Sequence, residues 1–151
     1  MSDQTSAVGG ASGQAYAGDV DCNEAWDILR READAVLVDV RTVPEWEFVG
    51  VPDLASIGKR TALVQWQIYG GPAPNPDFLA ELEAADVAKD ATVLFLCRSG
   101  ARSMAAAVAA TAAGYRTCHN VAGGFEGPPD GERHRGSVDG WKARDLPWEQ
   151  R

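Results

Sequence analysis

The chain has few of the residues that cross-link or metallate a small protein. Its 151 residues include three cysteines and two histidines. Cys22, Cys97 and Cys118 are odd in number and far apart, and no CxxC pair or Cys/His ligand spacing occurs. Neither a disulfide framework nor a zinc site is indicated, and no metal or other cofactor is expected. Positive charge is short as well. Fourteen Lys and Arg against 22 Asp and Glu leave a formal net charge of −8, which repels polyanions and argues against nucleic acid or an anionic membrane as partner. No run is long and apolar enough to span a bilayer. The N-terminus lacks the basic region and apolar run of a secretory signal, so a reduced, cytoplasmic compartment is expected. No internal repeat is present.

What remains is enough chain for one domain with a real core. Residues 1–18, rich in Gly, Ser, Ala and Gln, read as a disordered tail, and the domain is expected over 19–151. Asp21 can cap a helix to about Arg31–Glu32, with Ala25, Trp26, Leu29 and Ala33 as its apolar stripe. Runs 35–40 and 92–96 read as strands buried on both faces, and 117–121 as a third. Pro44 suits the first turn of a short helix over 44–48. Val64, Trp66 and Ile68 alternate with glutamines, the pattern of an edge strand. Asn75-Pro76-Asp77 reads as the start of a helix running to Lys89–Asp90. A helix over 101–113 ends at Gly114. Residues 127–140 read as a mobile loop, and Trp141, Leu146 and Trp148 as a tail packing back on the core. The alternation implies an α/β fold, a central parallel sheet with helices on both faces.

The most informative stretch is Cys97-Arg98-Ser99-Gly100-Ala101-Arg102, between the strand at 92–96 and the helix at 101–113. Strand, short loop and helix together turn successive backbone N–H groups into one anion-binding concavity. Helix terminus, amides and Arg98/Arg102 all favour thiolate over thiol at its lip. A lone cysteine at a strand end is often just a small buried hydrophobe. Two arginines within five positions argue instead for an open electropositive pocket, because arginine is rarely buried unpaired. Ligands of parallel sheets sit beyond the carboxyl ends of the strands, an edge that Cys97, Arg41 and Gly123-Gly124 all reach.

These segments resemble the single-domain rhodanese family. Leu37-Val38-Asp39-Val40-Arg41 with Glu45-Trp46 is similar to that family's first signature, and Cys97–Arg102 to its active-site loop. Asn120-Val121-Ala122-Gly123-Gly124-Phe125 and Trp141 with Leu146-Pro147 resemble its closing elements. Where the family usually has Gly-His-Ile-Pro-Gly-Ala, this chain has Gly50-Val51-Pro52-Asp53-Leu54, with no histidine. The resemblance implies a rhodanese-like domain and sulfurtransferase activity. Cys97 would take sulfane sulfur from a small anionic donor such as thiosulfate, as a persulfide, and pass it to cyanide or a thiol. A sulfur-relay protein is a further partner it suggests. Cys97 is then the catalytic residue, and Arg98, Ser99, Gly100, Ala101 and Arg102 bind substrate. Ser99 is either a donor to the persulfide or a simple turn former. Arg102 either lends its field or pairs with a carboxylate to hold the loop. Asp39, Arg41 and Glu45 are expected as a supporting ion-pair network. Cys22 and Cys118 read as packing residues, and neither His119 nor His134 has a motif that places it beside Cys97.

Two other readings share the loop. One is a persulfide carrier or partner-docking domain that does not turn over. The other is a cysteine-dependent phosphatase or arsenate reductase. Tyrosine-phosphatase-type loops hold five residues between Cys and Arg; here four, Arg98 to Ala101, intervene, so the tighter cradle suits sulfur better than a phosphoryl group.

Overall fold

The computed structural model describes residues 15–71 and 73–150. Most of the expected tail, residues 1–14, lies outside them. Five strands form one parallel sheet: β1 (Gly18–Val20), β2 (Val36–Asp39), β4 (Ala62–Leu63), β5 (Thr92–Leu96) and β6 (Thr117–Val121), in the order β1-β6-β5-β2-β4. β5 is the central strand. A separate antiparallel pair joins β3 (Val51–Pro52) to β7 (Trp148–Glu149).

Strand alternation sorts the core into two layers. Leu94 and Leu96 face α1 (Cys22–Arg31), packing with Ala25, Ile28, Leu29, Trp141 and Phe125. Val93, Phe95 and Cys97 face the other side, against α3 (Phe78–Ala84) and α4 (Ala101–Ala112) through Phe78, Leu82, Ala106, Ala107 and Ala110. Helices therefore cover both faces, as expected. The alanines of α4 keep its inner surface shallow and seat it close to the sheet.

Several boundaries differ from the sequence expectation. β1 pairs with β6 from Gly18, inside the stretch expected as tail, and Ala17 N–H donates to the Cys118 carbonyl at 2.8 Å. α1 ends at Arg31, which leaves Ala33 exposed beyond it. α2 (Val43–Phe48) forms around Pro44, with Thr42 N–H donating to Glu45 Oε1 at 3.0 Å. The edge strand is shorter and earlier than its alternation suggests, covering Ala62–Leu63, although Val64 and Trp66 still donate to the carbonyls of Asp39 and Val40. α3 starts three residues after Asn75, whose Oδ1 accepts the Asp77 N–H at 2.9 Å and whose Nδ2 donates to the Gln65 carbonyl at 3.0 Å. These bonds hold Asn75 to the edge segment and close a turn, and Asp86 at φ 61° stops the helix well before Lys89. The 127–140 loop is tied down. Asp130 Oδ1 accepts the N–H groups of Glu132 and His134, and Arg135 Nη1 donates to the Gly127 carbonyl at 2.6 Å. Trp141 and Leu146 are buried as expected, whereas Trp148 lies exposed in β7.

Candidate functional site

Cys97 follows the last residue of the central strand, at the carboxyl edge of the sheet. The residue as a whole is 1% exposed, yet it lines a cavity of about 80 Å³ with Arg98, Ser99, Ala101 and Arg102. Two glycines shape the loop. Gly100 sits at φ +120°, where a Cβ would come within 2.7 Å of the Ala122 carbonyl oxygen. At Gly124 a Cβ would lie 2.4 Å from the Arg98 carbonyl oxygen, so a backbone contact no side chain tolerates draws the turn after β6 against the loop.

That turn orients the loop's peptides. Phe125 N–H donates to the Cys97 carbonyl at 2.8 Å, and Glu126 and Gly127 N–H both donate to the Arg98 carbonyl at 3.0 Å. In a trans peptide, the N–H points opposite to the C=O. With these carbonyls held by the turn, the N–H groups of Arg98 and Ser99 face the other way. The first-turn N–H groups of α4 add positive potential. At Cys97 Sγ itself, Gly100 N–H donates at 3.1 Å.

The arginines behave differently from each other. Arg98 is exposed. Arg102 makes a two-pronged pair with Glu45, donating from Nη1 to Oε1 at 2.7 Å and from Nη2 to Oε2 at 3.0 Å. Burial works against the Glu45 charge, but the Arg102 and Thr42 hydrogen bonds and the Arg102 charge outweigh it, lowering the carboxyl to about 2. Of the two roles open to Arg102, the geometry has it paired with a carboxylate. Asp39, Arg41 and Glu45 form no single network. Arg41 turns inward to Asp39, with both side chains 0% exposed, while Glu45 joins Arg102. Arg41 Nη2 also donates to the Gly50 carbonyl at 2.7 Å, and its guanidinium lies 4.3 Å from the Phe125 ring centroid.

Ser99 is exposed; the hydroxyl beside the sulfur is that of Ser103. Its Oγ lies 3.1 Å from Cys97 Sγ and 2.6 Å from Asn120 Oδ1. Neither Ser103 nor Asn120 was among the expected site residues. Their signal was a polar residue in an apolar register: Ser103 precedes Ala106, Ala107 and Ala110 on the buried stripe of α4, and Asn120 shares a strand face with buried Cys118. Burial pushes the Cys22 thiol up to about 12 and raises that of Cys118 as well, which suits packing residues. His119 Nδ1 lies 3.3 Å from the Gly18 carbonyl oxygen.

Beyond the cradle opens a groove of about 680 Å³ lined by Glu45, Phe48, Ile68, Tyr69, Arg98, Arg102 and neighbours. Phe48 is 80% and Tyr69 70% exposed on its walls. No helix among the described residues is long and apolar enough to cross a membrane.

The family described as the STR4 middle domain matches residues 17–151, nearly the whole chain. The chain belongs to that family. An uncharacterized protein of Rickettsia conorii is 39% identical over 129 residues, covering 83% of this chain and 92% of the relative. A counterpart from Rickettsia prowazekii is 36% identical over 126 residues, with the same coverage of 83% and 92%. Among solved structures, the crystal structure of Rv0390 from M. tuberculosis is 50% identical with a TM-score of 0.83, covering 90% of this chain and 99% of that one. The polysulfide-sulfur transferase homodimer of Wolinella succinogenes shares the fold at a TM-score of 0.60 and 20% identity, covering 91% of this chain and 80% of that one.

Proposed function

We propose that this STR4 middle-domain protein is a rhodanese-type sulfurtransferase working through a persulfide on Cys97. The observation that carries the reading is the placement of Cys97 at the end of the central parallel strand, in a loop whose Cys97 and Arg98 carbonyls are held by the turn after β6 and whose Gly100 N–H donates to Sγ. The Wolinella protein of the same fold is a polysulfide-sulfur transferase, so the architecture accommodates this chemistry.

In the first step the Cys97 thiolate attacks the outer sulfur of thiosulfate. A bond forms between Sγ and that sulfur, the donor's S–S bond breaks, and its electron pair leaves with sulfite. In the second step an acceptor thiolate or cyanide attacks the outer sulfur, and the electron pair returns to Cys97. Each species is anionic, so loop amides and the field of Arg98 stabilise charge throughout. Neither step requires a general base once the sulfur is ionised. The groove walled by Phe48 and Tyr69 favours an acceptor larger than cyanide, a bulky thiol or the cysteine of a relay protein.

The test is persulfide formation. Thiosulfate should add one sulfur, about 32 Da, to Cys97 by intact mass, and cyanide should discharge it as thiocyanate over many turnovers. A single discharge without turnover points to a carrier. No adduct from thiosulfate or from a low-molecular-weight persulfide, or undiminished activity in Cys97→Ser, overturns the reading.

A further inference from the structure

Behind Cys97 a line of polar groups crosses from α4 to the edge of the sheet. Tyr16 O–H donates to Asp19 Oδ1 at 2.8 Å, and Asn120 Nδ2 donates to the same oxygen at 3.0 Å. Asn120 Oδ1 lies 2.6 Å from Ser103 Oγ, which lies 3.1 Å from Cys97 Sγ. Ser103 and Asn120 are buried, Tyr16 is half-buried and Asp19 is exposed.

The direction of these bonds follows from their chemistry. An ionised carboxylate only accepts, so Asp19 requires the NH₂ of Asn120 on its side and leaves the amide oxygen facing Ser103. A hydroxyl has one proton. Two oxygens 2.6 Å apart need it between them, so Ser103 gives its proton to Asn120 and turns a lone pair toward the sulfur. Burial and the bond to Asp19 push the Tyr16 phenol up to about 12, so Tyr16 remains a donor at neutral pH.

We propose that Asp19 and Asn120 are positioning residues that, by polarising Ser103, withhold its proton from Cys97 and restrain the thiol until the hydroxyl turns round. Resting on the persulfide reading for its purpose, this names what sets the reactivity of the sulfur at the same site. Gly100 N–H and the cradle favour the sulfur anion, while the line from Asp19 offers the S–H an acceptor. While Asp19 keeps the Asn120 oxygen toward it, Ser103 can donate to the thiolate or the persulfide only by leaving that oxygen. The other charged groups around Cys97 are Arg98 and Arg102, with Glu45 and Asp39 acting on Arg102 and Glu126 lining the adjoining groove. None of them contacts Ser103 or Asn120 among the described residues.

The experiment follows iodoacetamide alkylation of Cys97 against pH in the full chain, by peptide mass, in the parent, Asp19→Asn, Ser103→Ala and the double variant. In Asp19→Asn the Asn120 amide is free to flip and donate to Ser103, which then donates to the sulfur. The reactivity midpoint should fall by about one pH unit, the scale of one hydrogen bond to a charged group. In the Ser103→Ala background the same Asp19 change should do almost nothing, because the two residues act as one unit. An equal shift in both backgrounds means that Asp19 acts through charge alone and overturns the proposal, as does no shift in Asp19→Asn. Alkylation needs no sulfur transfer. Absent persulfide with the coupling intact therefore fails only the functional reading, and persulfide without the coupling fails only this one.

Discussion

Glu45 does two things with one carboxylate. Its Oε1 accepts from the N–H and hydroxyl of Thr42 at 3.0 and 2.9 Å, starting α2, and both its oxygens receive Arg102. The groove's helix and the loop's arginine are thereby held by one charge. The carboxyl stands near 2 in the folded protein against an ordinary value of 4.5. A depressed folded value gives stability that is complete above about 4.5 and lost as pH falls through about 2. Glu45→Gln should therefore destabilise the protein at pH 7 by roughly 1 kcal/mol, a figure discounted for the partly solvated pair. The gap from the parent should close between pH 4.5 and 2. Denaturant midpoints across that range check it, and a gap that persists unchanged at pH 2 counts against the assignment. Cys97 and the arginines were legible in the sequence as a thiol flanked by positive charge. The partner of Arg102 was not, because no acidic residue lies between Asp90 and Glu126 in the chain and only folding brings Glu45 to it, whereas Arg41 pairs with its near neighbour Asp39.

At the scale of elements, the loop is held from behind. Gly124, at φ +68°, abuts the Cys97–Arg102 loop from the turn after β6, where an added Cβ would lie 2.4 Å from the Arg98 carbonyl oxygen. Gly124→Ala must move the Arg98 peptide, since the added carbon meets backbone and not a flexible side chain. Overpacking of this kind costs roughly 1–3 kcal/mol. Persulfide formation should drop at least tenfold even where the variant remains folded by circular dichroism; wild-type rates would show that the contact does not shape the cradle. The three long strands and α4 could be read from composition because β-branched apolar runs favour strands and alanine tracts favour helices. The short elements could not. β3, β4 and β7 are two residues each, too short for a period, and β3 and β7 exist only because each supplies the other's hydrogen bonds. Asn75-Pro76-Asp77 looked like a helix start because its capping chemistry is genuine, but Asn75 applies that chemistry to the Gln65 carbonyl and a turn.

At the scale of the whole molecule, Arg41 links three regions. It pairs with Asp39 at the end of β2, bonds the Gly50 carbonyl and stacks on Phe125 beyond β6, all out of water. Removing one partner of a buried pair leaves the other charged and alone, at a cost of about 3–5 kcal/mol. Arg41→Leu should lower global stability by that amount in equilibrium unfolding; a loss below about 1 kcal/mol would show that the pair is solvated in solution. The parallel sheet and its two helical layers were legible from alternating patterns, but the order of its strands was not, and β1 gave the weakest signal of all. That strand is three residues long, pairs with β6 alone, and holds Asp19 against Asn120. Every residue of that pairing therefore bears on the sulfur: whatever peels β1 from β6 takes Asp19 away from Asn120.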